Sequence, residues 1–318
     1  MNNYPEIVKE PQDTSENKQI SELIQTYSEL GEIIEQESAP PEGLFGRLAI
    51  VETNGMKFRS DKLDLEFEVP FDDDIESNEA EIVIYNLSDK TIAAIKDNKK
   101  IVISAGYTGV KIAGKSDIGI IFEGYVSKVK SKWEGVDRVT TIYAVDAKNR
   151  KERDIANKSY KKGTKASYIL KDLINETGLA VQVFKTSRDY ACSDAVTVSG
   201  GLMDAIRKWA DECGTTAYIN KNKVYVRPLT DGDNIRFTVS AETGLTGSPT
   251  EFTEELRYDD ETTKTITGYE FKILGQHRIT TAAIIDLKSR NVSGRFRVRS
   301  GKHRFNPDEY ITEVEVIE

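Results

Sequence analysis

Residues 63–69 alternate without a break: Leu63, Leu65, Phe67 and Val69 are apolar, and Asp64, Glu66 and Glu68 between them are acidic. A period of two puts the oily side chains on one face of a strand and the carboxylates on the other. Further runs rich in β-branched and aromatic residues predict strands at 47–51, 56–59, 80–86, 100–107, 118–130 and 139–145. Short strands at close spacing, with turn residues between them, predict a closed or nearly closed barrel. One short helix is predicted at 88–97, with Ser88 as its N-cap.

The period changes on both sides of this region. Ahead of it, Ile20, Leu23, Ile24, Tyr27, Leu30, Ile33 and Ile34 recur about every 3.6 residues, which predicts an amphipathic helix over 17–37. Its apolar stripe, with Leu23, Ile24 and Tyr27 at its centre, needs cover from its own domain or from a neighbouring protein. Behind it, Thr164 is placed to cap a helix carrying Ile169, Leu170, Leu173 and Ile174 that stops at Gly178. A strand at 181–184, a helix at 202–213 ended by Gly214, and a hairpin turning at 220–223 complete a small α/β unit. From about residue 234 strands return. Phe296 and Val298 alternate with Arg295, Arg297 and Arg299, and Val314 and Val316 with Glu313 and Glu315. Paired antiparallel, these two strands would set valines against each other and arginines near glutamates, at a few tenths of a kcal/mol per pair. No long internal repeat is visible by eye, although two barrels of similar size would be a diverged duplication.

Composition adds bounds. A chain of 318 residues can form two or three domains and bury roughly three quarters of its unfolded surface. No run of about 18 apolar residues occurs, so no membrane span is expected. The polar, acidic start does not read as a secretory signal peptide. Cys192 and Cys213 stand far apart, as expected of free thiols in a reducing cytoplasm. The net charge of −9 is unevenly spread: residues 1–81 carry 21 acids against 6 bases, whereas 288–304 carry seven bases and no acid. Opposite charge at opposite ends favours ordered association with copies or neighbours. The overall sign argues against nucleic-acid binding.

One segment matches a catalytic motif letter for letter. Gly109, Gly114, Lys115 and Ser116 fit G-x-x-x-x-G-K-[ST], the loop that wraps phosphates, and Asp146 or Asp286 could stand as the magnesium-binding acid. Such a loop must run into a helix. Here Ser116 is followed by Asp117, Ile118, Gly119, Ile120, Ile121 and Phe122, which read as a strand. Asp72, Asp74, Glu76 and Asn78 suggest a calcium loop, but Ser77 and Val83 stand where an EF-hand needs glycine and glutamate. No nucleophile–base pairing is legible, and the two histidines, His277 and His303, cannot by themselves build a zinc site. Trp133, Trp209 and Tyr107 read as core or hairpin packing.

The segments EFEVPF, AEIVIYNLS, ISAGYTG, GIIFEGYV, ASYILKDLINETGL, GLMDAIRKWADECG, VYVRP and TGLTGSP occur in that order between residues 66 and 249. Together they resemble phage tail hub (baseplate hub) proteins of the late control protein D family, over roughly 44–317. The loop at 109–116 departs from that family, where it is usually shorter and acidic or polar. The resemblance implies a mainly β chain with an α+β insertion. Its parts are an N-terminal helical extension (1–43), a first β-barrel domain (44–158), a small α/β domain (159–232) and a second β-barrel domain (233–318). It implies a homotrimer under a tail tube, in which two barrels per chain offer six near-equivalent surfaces to a sixfold tube and the threefold underside receives a spike or tip. Expected partners are the chain itself, the tube, the spike and other baseplate proteins, in a virion tail or tail-like particle assembled in the bacterial cytoplasm. Neither catalytic residues, cofactor nor metal is expected. Arg295, Arg297 and Arg299 are expected to meet an acidic tube or neighbour, and Asp72, Asp73 and Asp74 to form a rim. The alternatives are a nucleotide-binding enzyme built on 109–116 and a tail module that binds cell-wall carbohydrate.

Overall fold

The computed structural model describes residues 44–95, 99–112, 115–147, 154–257 and 263–318. The helix expected at 17–37, with Leu23, Ile24 and Tyr27, and Gly114 lie outside the described residues. The protein is mainly β, with an α/β insertion between two β halves.

The first half holds β1 (Arg47–Thr53), β2 (Met56–Arg59), β3 (Leu65–Phe71), β4 (Glu79–Tyr85), helix α1 (Asp89–Ala94), β5 (Lys100–Ile112), β6 (Lys115–Glu134) and β7 (Asp137–Val145). Leu65, Phe67 and Val69 face inward with Ile82, Ile84, Ile101, Ile103 and Ile142, all nearly free of solvent, while Glu66 and Glu68 point outward. Burial of such side chains contributes about 1.5–3 kcal/mol each. The alternating pattern therefore sets which face is core. As expected, Ser88 caps α1, accepting from the Thr91 amide at 3.2 Å.

The insertion holds β8 (Asp154–Tyr160), α2 (Ala166–Thr177), β9 (Ala180–Phe184), β10 (Val196–Gly201), α3 (Leu202–Glu212), β11 (Thr216–Asn220) and β12 (Lys223–Arg227). Its core takes Ile169, Leu170, Leu173 and Ile174 from α2, and Leu202, Ile206 and Trp209 from α3. Gly178 ends α2 in the left-handed conformation, φ 66°. The N-terminus differs from the expectation: Lys165, not Thr164, is the cap residue, and it makes no side-chain cap. Thr164 bonds back to the Lys161 carbonyl, and Asp189 supplies the missing acceptor from a distance, taking the Ser167 amide at 3.0 Å. An acceptor 22 residues away is invisible to local cap rules. Cys192 and Cys213 are buried free thiols, and burial pushes Cys213 up to about 11.

The last half holds β13 (Asp233–Val239), β14 (Leu245–Arg257), β15 (Thr263–Leu274), β16 (Ala283–Lys288), β17 (Ser293–Phe305) and β18 (Tyr310–Ile317). Strands β17 and β18 pair antiparallel with Val298 opposite Val316. Hydrogen bonds run both halves into one 13-stranded sheet rather than closing each half upon itself. Its main path is β14-β15-β18-β17-β3-β4-β7-β6-β5-β1-β2, with β16 and β13 branching from β17. The reason is the length of β17. On one edge, residues 293–297 pair with β16 and residues 301–305 pair with β3. Phe305 and Tyr310 thereby pack into the first core, where Phe305 stacks on Phe67 at 5.4 Å.

The strand order occurs twice. β3-β4-β7-β6-β5-β1 in the first half matches β14-β15-β18-β17-β16-β13 in the last. Both copies carry a register shift at the same place, between Val126 and Lys128 on β6 and between Val298 and Ser300 on β17. The correspondence loosens at its end, since β1 meets β5 antiparallel and β13 meets β16 parallel.

Candidate interaction surfaces and the charged junction

The stretch from Phe71 to Ala80, which carries β3 through the 72–78 connection into β4, touches all three cores. Phe71 enters the last core, Ile75 the insertion's core, and Ala80 the first. The polar residues between them are bonded in different directions. Asp73 accepts from Arg297 Nη1 at 2.8 Å, and that arginine also donates Nε to the Asp231 carbonyl at 3.0 Å. Asp74 accepts from Arg207 Nη2 of α3 at 2.9 Å, and the Asp72 carbonyl accepts from Thr281. Asn78 donates its amide to Asp146 Oδ1 at 3.0 Å. Burial pushes Asp146 up to about 8, the Asn78 hydrogen bonds only partly offsetting it, and burial also raises Asp72. Asp146 is therefore a protonated hydrogen-bonding group at neutral pH.

This arrangement relocates most of the charged contact candidates. Arg297 is 2% exposed and Asp73 12%, so the two patches read as separate outward surfaces meet each other inside one chain. Arg299 pairs with Glu254 and lies 3.7 Å from Asp73. Of the six charged candidates, Arg295, opposite Asp286 on β16, and the Asp74 side chain, 47% exposed beside Arg207, still reach solvent. Formal charge in the sequence does not reveal whether a partner is already present. The calcium reading loses its donors in the same way: Asp74 and Glu76 face Arg207, and the described residues hold no group of three or more metal-ligating side chains.

A second clasp joins β6 to the 275–282 loop. Asp117, 6% exposed, accepts from Arg278 at 2.7 Å and shares a 2.6 Å hydrogen bond with His277 Nε2. Burial alone would raise Asp117, but the His277 hydrogen bond and the Arg278 charge hold it below the usual carboxylate range. Gly119 makes room, since a Cβ there would collide with the His277 ring. Nearby, the turn between β11 and β12, with Lys221 and Asn222 both at positive φ, reaches over both halves. Lys221 donates to the Ile120 carbonyl at 2.7 Å, and Asn220 to Thr280 at 3.1 Å. This cluster was not foreseen from sequence. Its signal is slight: an aspartate and a glycine inside a strand, 160 residues from the histidine.

The outer face of the sheet carries a ladder of exposed ion pairs. Lys272 meets Glu313 at 2.9 Å, Glu313 approaches Lys302 and Arg304 at 3.7 and 3.8 Å, and both bases reach Glu68 at 3.2 and 3.4 Å. His303, between these two bases, points inward, bonds Thr312 Oγ1 at 2.9 Å, and is pushed down to about 3 by burial.

The segment resembling a phosphate loop forms a hairpin. Ile112 faces Lys115 and Lys111 faces Ser116 across paired strands, and β6 continues from Ser116 to Glu134. Among the described residues no helix follows Ser116 to receive an anion. Trp209 and Tyr107 are buried, whereas Trp133 is 67% exposed at the end of the β6–β7 hairpin, with the Arg138 guanidinium 5.8 Å from its ring. A groove of about 500 Å3 beside Leu44 is lined by Arg47, Tyr107, Lys272, Arg304 and Tyr310, with no nucleophile–base pair among them.

The fold is two β halves tied by ion pairs, with an α/β unit clipped across them. Solved tail proteins share this architecture. The 43 kDa tail protein of prophage MuSo2 from Shewanella oneidensis aligns over 85% of this chain and 97% of its own, with a TM-score of 0.58 at 7% identity. A tail protein from Neisseria meningitidis MC58 aligns over 86% and 97%, with a TM-score of 0.58 at 11% identity. The E. coli c3393 protein, a type VI secretion system component, aligns over 84% and 76%, with a TM-score of 0.54 at 11% identity. No curated sequence matches the chain. The family model for baseplate hub gp41 matches residues 80–291, more than half of the sequence, and the chain belongs to that family. The tail-hub resemblance of the sequence is thereby borne out.

Proposed function

We propose that this baseplate hub protein acts as a trimer that adapts a sixfold tail tube to a threefold spike or tip. The observation that carries this reading is the strand order repeated in the two halves. Three chains then present six similar β units above, while the three insertions and the three-way junctions keep threefold symmetry below. Head-to-tail interfaces close into rings of this kind when the rotation between copies closes. The functional units are the extension 1–43, the β units 44–158 and 233–318, and the α/β unit 159–232. Support for three units comes from the three cores, joined through the 72–78 junction and the β17–β3 pairing. The role is structural, not enzymatic, since the one catalytic motif lies on a β-hairpin. The partners are the tube, the spike and other baseplate proteins of a tail or tail-like particle, which assembles in the bacterial cytoplasm. The test is co-assembly with the tail tube protein, followed by mass measurement: three copies per tube end support the reading, and one or six contradict it.

A further inference from the structure

The repeated strand order makes a specific claim about how copies join. Within the chain, the edge of β17 facing away from β18 is used on both sides of the bulge: β16 covers 293–297 and β3 covers 301–305. The matching edge of β6 is used only in part. β5 pairs with β6 up to Tyr125, and the Val126 amide bonds to the Lys99 carbonyl at 2.9 Å. Beyond Val126 no strand among the described residues lies on that edge, although β6 runs on to Glu134 and is held by β7 on its other side. At the far end of the sheet β14 has the converse feature. It corresponds to β3, pairs among the described residues only with β15, and ends the path.

We infer that the bare edge of β6, residues 127–133, receives strand β14 of a second copy, as β17 receives β3 within the chain. The inference rests on the trimeric hub reading and gives it a residue-level seam. Three further observations favour this occupant. Counted from the shared register shift, Lys130, Lys132 and Trp133 take the places of Lys302, Arg304 and Phe305. Phe305 is 4% exposed because β3 of the same chain covers it, whereas Trp133, its counterpart, is 67% exposed. The charges are complementary: β6 carries Lys128, Lys130 and Lys132, and β14 carries Glu251, Glu254 and Glu255, as β17 and β3 set Lys302 and Arg304 against Glu68. Finally, an exposed ribbon and an unpaired end strand are the edges that strand addition uses.

The register follows from the internal seam. His303 opposes Val69, so Ser131 should oppose Glu251 of the neighbour, which puts Lys128 opposite Glu254. The test is the full chain carrying Ser131→Cys and Glu251→Cys, oxidised with copper–phenanthroline at high protein concentration and run without reductant. A covalent closed trimer, absent from the chains carrying Ser131→Cys or Glu251→Cys alone, is expected. Lys130→Glu with Lys132→Glu should weaken self-association at least tenfold while leaving the melting temperature of the single chain unchanged. An assembly of the right mass that does not cross-link overturns this seam and leaves the trimeric hub standing. A chain that stays monomeric at every concentration, without cross-linking, overturns the seam too. The hub reading is then decided separately by binding to the tube.

Discussion

Asp73–Arg297 and Glu68–Lys302 both tie the first half of the chain to the last, yet they are built in opposite surroundings. The first pair is almost sealed from water, at 12% and 2% exposure, and the second stands on the outer face at 48% and 31%. Coulomb attraction is screened at the surface, so each rung of the ladder contributes little beyond its neighbours. In the junction the two ions have already lost their water, and either one left alone is costly. The ladder therefore aligns a sheet that packing already holds, while the junction decides whether the three cores sit together at all.

The largest expected effect follows from that difference. Arg297→Ala should lower unfolding stability by about 3–5 kcal/mol, read from the urea midpoint, because buried Asp73 loses its hydrogen-bonded partner and keeps only Arg299, 3.7 Å away. Combining Arg297→Met with Asp73→Leu should recover most of the loss, since the cost lies in the unpaired ion and not in the missing pair. If the double variant is as weak as the single one, the junction is held by the geometry of the charges. Asp117→Ala, which removes the partner of Arg278 and His277 in the second clasp, is expected to cost about 2 kcal/mol.

The pH dependence sharpens the same comparison. Asp146 keeps its proton in the folded state up to about 8, whereas the unfolded chain releases it near the ordinary value of about 4. Between those values only the folded state holds the proton, so stability falls as pH rises, by about 5 °C in melting temperature from pH 5 to 8. Asp146→Asn should flatten that slope. His303 acts in the other direction. Its folded value, near 3, lies below the unfolded one, so its contribution is present above about pH 6.5 and is lost as pH falls toward 3.

The mainly β class was legible because Leu63 to Val69 and its like alternate with a period that only a half-buried strand satisfies. Helix α2 was legible from its apolar stripe and Gly178, while its distant cap, Asp189, was not. Arg297 and Arg299 read as surface charge because local sequence does not contain Asp73 or Glu254, which reach them only after folding. Asp117 was hidden for the same reason. The doubling of the strand order left no trace by eye in the sequence, because a sheet needs its alternation and its bulge positions and tolerates nearly any apolar residue that fits them.

The smallest expected effect lies on the ladder: Lys302→Ala should cost about 0.5 kcal/mol at low salt and nothing measurable in 1 M sodium chloride. A loss there as large as that of Arg297→Ala would erase the distinction between the two regions.

The central claim is that one chain supplies two similar β units to a threefold assembly. Electron cryo-microscopy of the hub seated on its tail tube, with copies counted without imposed symmetry, tests it most directly. Three copies arranged as six alternating β units around the tube axis are the expected result. Six copies, each offering a single half to the tube, would contradict it.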